Sequence, residues 1–441
     1  MGKHYNRRSL IKGAAGAGAG LASVGTLGAA STTFAAPAVI QGGPVEVTFL
    51  RGFPSGVNGD ASVAMLERFH EAHPDIRIVD TVVETYEDVA AQLITGLQTG
   101  DVPHIAMLSD VWWFRFYLSQ SLEDLTPLIG ELNPDDYVQS LYTEYQRNGG
   151  QWAVPFARST PLFYYNLSAV ETAGVEESVF AKWSTFREAA PDLISGSGLE
   201  AAMAFGNAAS YGAWVLHGPV WAFGGHYSDA DFNILLEEEG TVNCGEFMRE
   251  FVESGNALAV ADPATDFMNG VSLAIMNSTG GLTNFTNTIT DFEFKTAFLP
   301  EELQFGCCTG GAGLSIMAGF DDTIKQAAMT YLDFCTNTEQ TTIWSQATGY
   351  MPVRTSAIES PEEQAFLDEN PNARVAVEQL PLTEPQDPVR VFVPNGDQIL
   401  GRGWEQILVQ NRPAPEVWAE VTAELEPEAA AVLEQLAEIE G

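Results

Sequence analysis

An α/β fold built on a parallel sheet is predicted for this 441-residue chain by three observations. Strand-like and helix-like segments alternate from Val45 onward. Glycine or proline closes the helices, and small or hydroxyl residues gather where apolar strands end. Val45 to Leu50 alternates as a strand, Asp60 to His73 has helical periodicity closed by Pro74, and Ile76 to Val83 is strand-like again. Tyr86 to Gly100 reads as a helix ending at glycine, and Val102 to Leu108 supplies a third apolar strand. In such sheets ligands sit beyond the carboxyl ends of the strands, which puts Arg51, Gly52, Phe53 and Asp110 at a binding edge. Asp110 is equally suited to cap the segment that begins at Val111, and the two roles are compatible.

Further along, two strand-like pieces between Trp152 and Asn166 flank Arg158-Ser159-Thr160-Pro161, the pattern of a chain crossing between two lobes. The segment Asn277-Ser278-Thr279-Gly280-Gly281 follows the apolar strand Leu273 to Met276 and again offers hydroxyls and reachable backbone amides. From Glu416 onward, Val417, Val421, Leu425 and Leu433 recur among glutamates and alanines as in solvated amphipathic helices.

Composition narrows the function classes. A length of 441 residues suggests two or three domains, and 45% hydrophobic residues a folded chain. Lys and Arg number 20 against 59 Asp and Glu, a net charge of −39 that repels phosphate backbones and argues against nucleic acid. Basic residues being scarce, an arginine inside a binding motif is informative. The four cysteines, Cys244, Cys307, Cys308 and Cys335, lack zinc-site spacing; they are buried thiols or form bridges, with Cys307 or Cys308 pairing to Cys244 or Cys335. The six histidines form no convincing metal pair, and carboxylate pairs such as Glu84 and Glu87 are expected from composition alone, so neither a metal, a cofactor nor catalysis is predicted.

The N-terminus carries Arg7-Arg8 before the weakly apolar run Gly13 to Ala30, which is similar to a twin-arginine export signal. Glycine is too frequent there for a firm membrane anchor. Cleavage near residues 36–39 would leave a mature protein in the periplasm, and no later apolar segment is long enough to span a bilayer.

Five ordered segments then carry a resemblance. They are Arg158-Ser-Thr-Pro-Leu-Phe-Tyr-Tyr-Asn166, Phe267 to Asn284, Gly310-Gly-Ala-Gly-Leu-Ser-Ile-Met317, Thr348-Gly-Tyr-Met-Pro-Val353, and Glu369-Asn-Pro-Asn-Ala373 followed by Arg390. Over essentially the whole mature chain the sequence resembles the extracellular solute-binding proteins of carbohydrate-class ABC importers, most closely the glycerol-3-phosphate-binding type. The resemblance implies a two-lobed periplasmic-binding-protein fold of type II with a hinge and an interlobe cleft. Residues 1–38 would be signal, 39–157 with 296–350 one lobe, and 158–295 with 351–441 the other. It implies a monomer that captures a small molecule and docks on membrane permease subunits served by a cytoplasmic ATPase.

The resemblance also implies site residues. Tyr86 matches an aromatic contact to glycerol and Asp110 a carboxylate acceptor of its hydroxyls. Ser159, Ser278 or Thr279, and a glycine of the Gly310-Gly311 pair match donors, while Tyr350 and Arg390 match phosphate contacts. Physically, an anion wants the forked donors of arginine, so Arg51 and Arg158 join the candidates beside Arg390. The chain departs from the family in having aspartate at Asp110 where glutamate is usual, Leu50-Arg51 where tryptophan and histidine stand, and no clear partner for the wall tryptophans, with only Tyr211 and Trp214 nearby. An uncharged sugar is the alternative ligand, for which Trp112, Trp113, Tyr142, Tyr211, Trp214 and Trp221 would be stacking platforms.

Overall fold

The computed structural model describes residues 43–207 and 211–441, so the export-signal reading lies outside the described residues. In chain order the main strands are β1 (Val45–Arg51), β2 (Ile76–Val82), β3 (Ile105–Ser109), β4 (Val154–Ser159), β5 (Pro161–Asn166), β6 (Ala201–Gly206), β7 (Ala257–Val260), β8 (Ser272–Ser278), β9 (Phe294–Ala297) and β10 (Gly310–Ile316). They form two five-stranded sheets, ordered β2-β1-β3-β10-β4 and β9-β5-β8-β6-β7. Each sheet is the heart of one lobe.

Within the first sheet β1 runs parallel to β2 and β3, as the alternating pattern predicts. The sheets are nevertheless mixed. β10 is antiparallel to both β3 and β4, and β5 is antiparallel to β8 and β9. The reason is the crossings: a strand that arrives from the other lobe, without a covering helix to reverse it, enters the sheet from the opposite end. Thr160 alone joins β4 to β5. The sheets thus place the crossings at Thr160 and between Ala297 and Gly310, so Arg158 and Ser159 pair within the first sheet and residues 296–297 within the second. The predicted divisions fell at 157/158 and 295/296.

Local sequence explains the helices that frame the cleft. Thr85 and Asp88 make a reciprocal capping box that starts Tyr86–Thr99, and Gly100 ends it at φ +85°. The helix Gly56–Ala72 begins four residues before the predicted Asp60, because Ser55 stands extended as its N-cap while the first turn has no apolar pattern to read. Beyond residue 396, Gly396–Leu408 and Ala414–Glu440 bury Trp404 and Trp418 against the second-lobe helix Glu239–Glu253. The last turn then reaches back to the first lobe, where Glu440 accepts from Arg147 at 2.7 and 3.0 Å and from Tyr117 at 2.6 Å.

All four cysteines are free and buried, so no bridge forms. Burial pushes the Cys244, Cys307, Cys308 and Cys335 thiols up, which suppresses thiolate. Accordingly, a thiol reagent is expected to modify none of them quickly in the native protein and all four in urea. Fast modification of any one without denaturant would contradict this packing.

Candidate functional site

The cleft edge follows from strand direction. The carboxyl ends of β1, β3 and β4 bring Arg51, Asp110 and Ser159 to one side of the first sheet. β10 runs the other way, so its first residues, Gly310 and Gly311, meet them there. Asp110 donates its amide to the Gly311 carbonyl at 2.9 Å, and Gly310 pairs in register with Ser159. Both glycines are required. A Cβ at Gly310 would lie 2.4 Å from the Trp214 indole nitrogen, and at Gly311, where φ is +101°, 2.1 Å from the Ala157 carbonyl.

On one flank stand four rings. The Tyr86 and Tyr350 hydroxyls are 3.3 Å apart, Phe53 meets both rings edge-on or tilted, and Tyr350 stacks on Trp344 at 5.8 Å. Tyr350 also presses on Gly280, where a Cβ would come within 2.8 Å of its ring. Burial raises the Tyr350 hydroxyl to about 12, and raises that of Tyr86 with help from Tyr350, Tyr211 and Asp110, so both are neutral donors. Tyr211, at φ +56° and about half exposed, is raised to about 12 by its partial burial first and then by the fields of Glu87, Tyr350, Asp397 and Asp110.

Opposite the rings lies a polar network that crosses the lobes. The Arg390 guanidinium is 2.8 Å from Asp397 and 3.5 Å from Asp110, and Gln386 both donates to Asp110 and accepts from Arg390. Arg390 is only 3% exposed, and its Nε has no hydrogen-bond partner. Burial works against its charge, but Asp397 and Asp110 outweigh it, so the guanidinium remains protonated. Behind Asp110 and Gln386 opens a cavity of about 480 Å³, also walled by Trp113, Glu144, Tyr145 and His226.

Other predicted residues are engaged elsewhere. Arg51 binds Asp80 at 2.7 and 2.9 Å and the carbonyls of Gly52 and Phe53, so its fork braces the loop that carries Phe53. Arg158 donates to Glu144 and, at 2.7 Å, to the Tyr145 hydroxyl, and is fully buried; burial lowers it to about 10 although Asp110 and Tyr86 pull it up. Thr279 holds the crossing, donating its amide to the Thr160 carbonyl and accepting the Thr160 amide at 3.3 Å. Ser278 accepts from the Gly280 amide at 3.1 Å. Trp214 donates to the Thr309 carbonyl at 3.0 Å and roofs Gly310.

The stacking platforms of the sugar alternative are mostly core. Trp113, Tyr142, Trp214 and Trp221 are each under 9% exposed, Trp112 is half-buried, and Tyr211 is exposed. Of the six histidines, His73 stacks on Phe69 and His70 accepts the Ile78 amide. Among the described residues no group of three or more metal-binding side chains occurs, and no helix is long and apolar enough to cross a membrane. Sequence reasoning missed Gln386, Asp387 and Asp397. Gln386 and Asp387 lie in an irregular stretch without periodicity, marked as a shaped loop only by the prolines Pro385 and Pro388, and Asp397 stands in the first turn of the helix Gly396–Leu408, where an acid reads as an ordinary helix-start residue.

Three comparisons bear on this geometry. The profile of the bacterial extracellular solute-binding protein family matches residues 64–374. The sn-glycerol-3-phosphate-binding periplasmic protein UgpB of Salmonella typhimurium is 26% identical over 341 residues, covering 72% of this chain and 76% of the relative, and that of Pectobacterium atrosepticum is 24% identical over 72% and 75%. Among solved structures, UgpB of Mycobacterium tuberculosis in complex with glycerophosphocholine has 36% identity and a TM-score of 0.82 over 90% of this chain and all of that one. The cyclic α-maltosyl-1,6-maltose binding protein of Arthrobacter globiformis, 20% identical with a TM-score of 0.76 over 88% and 99%, shares the fold.

Proposed function

The chain belongs to the bacterial extracellular solute-binding protein family, and from that premise we propose that it is the periplasmic capture subunit of an ABC importer for glycerol-3-phosphate or a related polyol phosphate, with glycerophosphodiesters as its preferred ligands. The observation that carries this reading is the buried Asp110–Gln386–Arg390–Asp397 network between the lobes, beside the cavity of about 480 Å³. Tyr86, Asp110, Ser159, Ser278 and Gly310 would hold the glycerol end, and Tyr350 and Arg390 the phosphate. Relatives named for glycerol-3-phosphate and a similar structure with glycerophosphocholine support the class.

Charge balance selects within it. Arg390 faces Asp110 and Asp397, and Arg158 faces Glu144, so both guanidiniums are already opposed. A phosphate dianion adds two charges that this site leaves largely uncompensated. A phosphodiester adds one, and the cavity offers its second substituent room between rings and carboxylates, a setting that suits a cationic head.

No chemical step is asked of the protein. Ligand contacts from both lobes favour the closed form, which docks on the permease subunits while a partner ATPase supplies the energy. In small-angle scattering the mature protein should compact when saturated with glycerophosphocholine. Its melting transition should rise with ligand concentration, by about 2.7 kcal/mol of stability at one hundred times Kd. Turnover of the diester to free alcohol would overturn the binding-protein reading. Compaction with maltose and not with any phosphate would overturn the ligand class.

A further inference from the structure

The Asp387 carboxylate makes no hydrogen bond to Asp110, Gln386, Arg390 or Asp397, yet it is the most densely served acid among the described residues near the site. Its Oδ2 accepts the Tyr227 amide at 2.6 Å and lies 2.9 Å from His217 Nε2. Its Oδ1 lies 3.3 Å from His226 Nδ1, and the Trp221 indole N–H reaches both oxygens at 3.3 and 3.4 Å. Every one of these partners belongs to residues 217–227 of the second lobe. Asp387 stands where a helix N-cap would, but makes no side-chain cap for the short helix Pro388–Val391; its side chain points outward to that lobe instead. Ser228 adds a second tie by accepting the Val389 amide at 3.0 Å.

The short helix held this way carries Arg390, whose amide donates to the Asp387 carbonyl at 3.1 Å, and Gln386 precedes Asp387 directly. We propose that Asp387 is a positioning residue for ligand capture: through His217, Trp221, His226 and Tyr227 it fixes Gln386 and Arg390 to the second lobe, aimed across the cleft at Asp110. The proposal rests on the reading of Arg390 as the phosphate contact.

Protonation of His226 tunes this clamp. The hydrogen bond to Asp387 raises the imidazole, partly opposed by burial, and the fields of Asp387, Glu384 and Glu238 act in the same direction. Burial pushes His217 down and keeps it neutral despite Asp387; Arg390 and His226 push it further the same way. Burial would raise the Asp387 carboxyl, but His217 and His226 outweigh it and hold the acid well below its ordinary value. Asp387 therefore stays charged at every working pH, and the group that titrates is His226, half-exposed on the wall of the cavity. Its positive form, present below the raised value and lost as pH rises through it, tightens the clamp and favours an anion. A phosphodiester keeps one charge throughout, so any pH dependence of binding belongs to the protein.

Calorimetric titration with glycerophosphoglycerol, a phosphodiester whose uncharged second substituent gives a protonated His226 no cation to repel in the cavity, from pH 5.5 to 8.5 tests this on four proteins. The parent should bind more tightly at the acid end. Asp387→Asn should bind about tenfold more weakly, as loss of an orienting partner does at other sites, with a flat pH profile. His226→Gln, changed at a half-exposed position, should keep the fold and also lose the pH dependence, which keeps the proposal testable if Asp387→Asn does not fold. An Asp387→Asn protein with the parent's affinity and pH profile, while Arg390→Ala loses binding, would overturn the positioning role. A pH-dependent His226→Gln would overturn the tuning. An Arg390→Ala protein that still binds would overturn the cleft reading itself, and this proposal with it.

Discussion

Replacing Arg390 by alanine is expected to weaken binding of glycerophosphodiesters by about thirtyfold or more. Truncating one partner of a buried, hydrogen-bonded charge pair costs about 2 to 5 kcal/mol, because the remaining charges stay buried without a partner. Here two acids would be stranded, since Asp397 at 2.8 Å and Asp110 at 3.5 Å both face the guanidinium. The unliganded protein should therefore also melt earlier. Arg390→Lys keeps a charge but not the fork, and should fall between the two. Measured by calorimetry, an Arg390→Ala affinity within threefold of the parent would remove the phosphate contact from this account.

Gly311→Ala is expected to destabilise the fold by about 3 kcal/mol or more, from a strained left-handed backbone together with a clash that the sheet cannot relieve. The obstacle is backbone: a Cβ would stand 2.1 Å from the Ala157 carbonyl of the neighbouring strand, at φ +101°. Because the Gly311 carbonyl receives the Asp110 amide at 2.9 Å, affinity should drop along with stability. Urea unfolding checks the first effect and titration the second. A loss under 0.5 kcal/mol, the scale of an ordinary surface change, would contradict the β4–β10 register.

The sequence carried most of the first sheet in readable form. Val45 to Leu50, Ile76 to Val83 and Tyr86 to Gly100 are regular elements whose periods and end signals are local, and the structure places them within a few residues of those limits. The crossing at Arg158 to Pro161 was legible too, because two all-buried strands separated by a single residue leave no room for a helix. Strand direction after a crossing was not, since nothing within Gly310 to Ile316 says from which end the strand enters a sheet that lies far back in the chain.

For the cleft, strand-end position pointed to Asp110 and the resemblance to Tyr86, Ser159, Gly310, Gly311, Tyr350 and Arg390, and the structure brings these residues to one region. Scarcity of basic residues singles out Arg51 and Arg158, and in the structure each stands against an acid distant in sequence: Asp80 for Arg51, Glu144 for Arg158. Pairing of this kind depends on tertiary neighbours, and so does the role of Gln386 and Asp387 in a loop whose only signal is two prolines. Tyr211, the residue that stands near the missing wall tryptophans in sequence, is close enough to Tyr350 and Asp110 to feel their charges.

The most direct test is a calorimetric titration of the mature protein with glycerophosphocholine, glycerol-3-phosphate and maltose under one set of conditions. The account predicts saturable one-site binding of the diester, weaker binding of the monoester dianion and no heat from maltose. Saturable binding of maltose with none of either phosphate compound would contradict it.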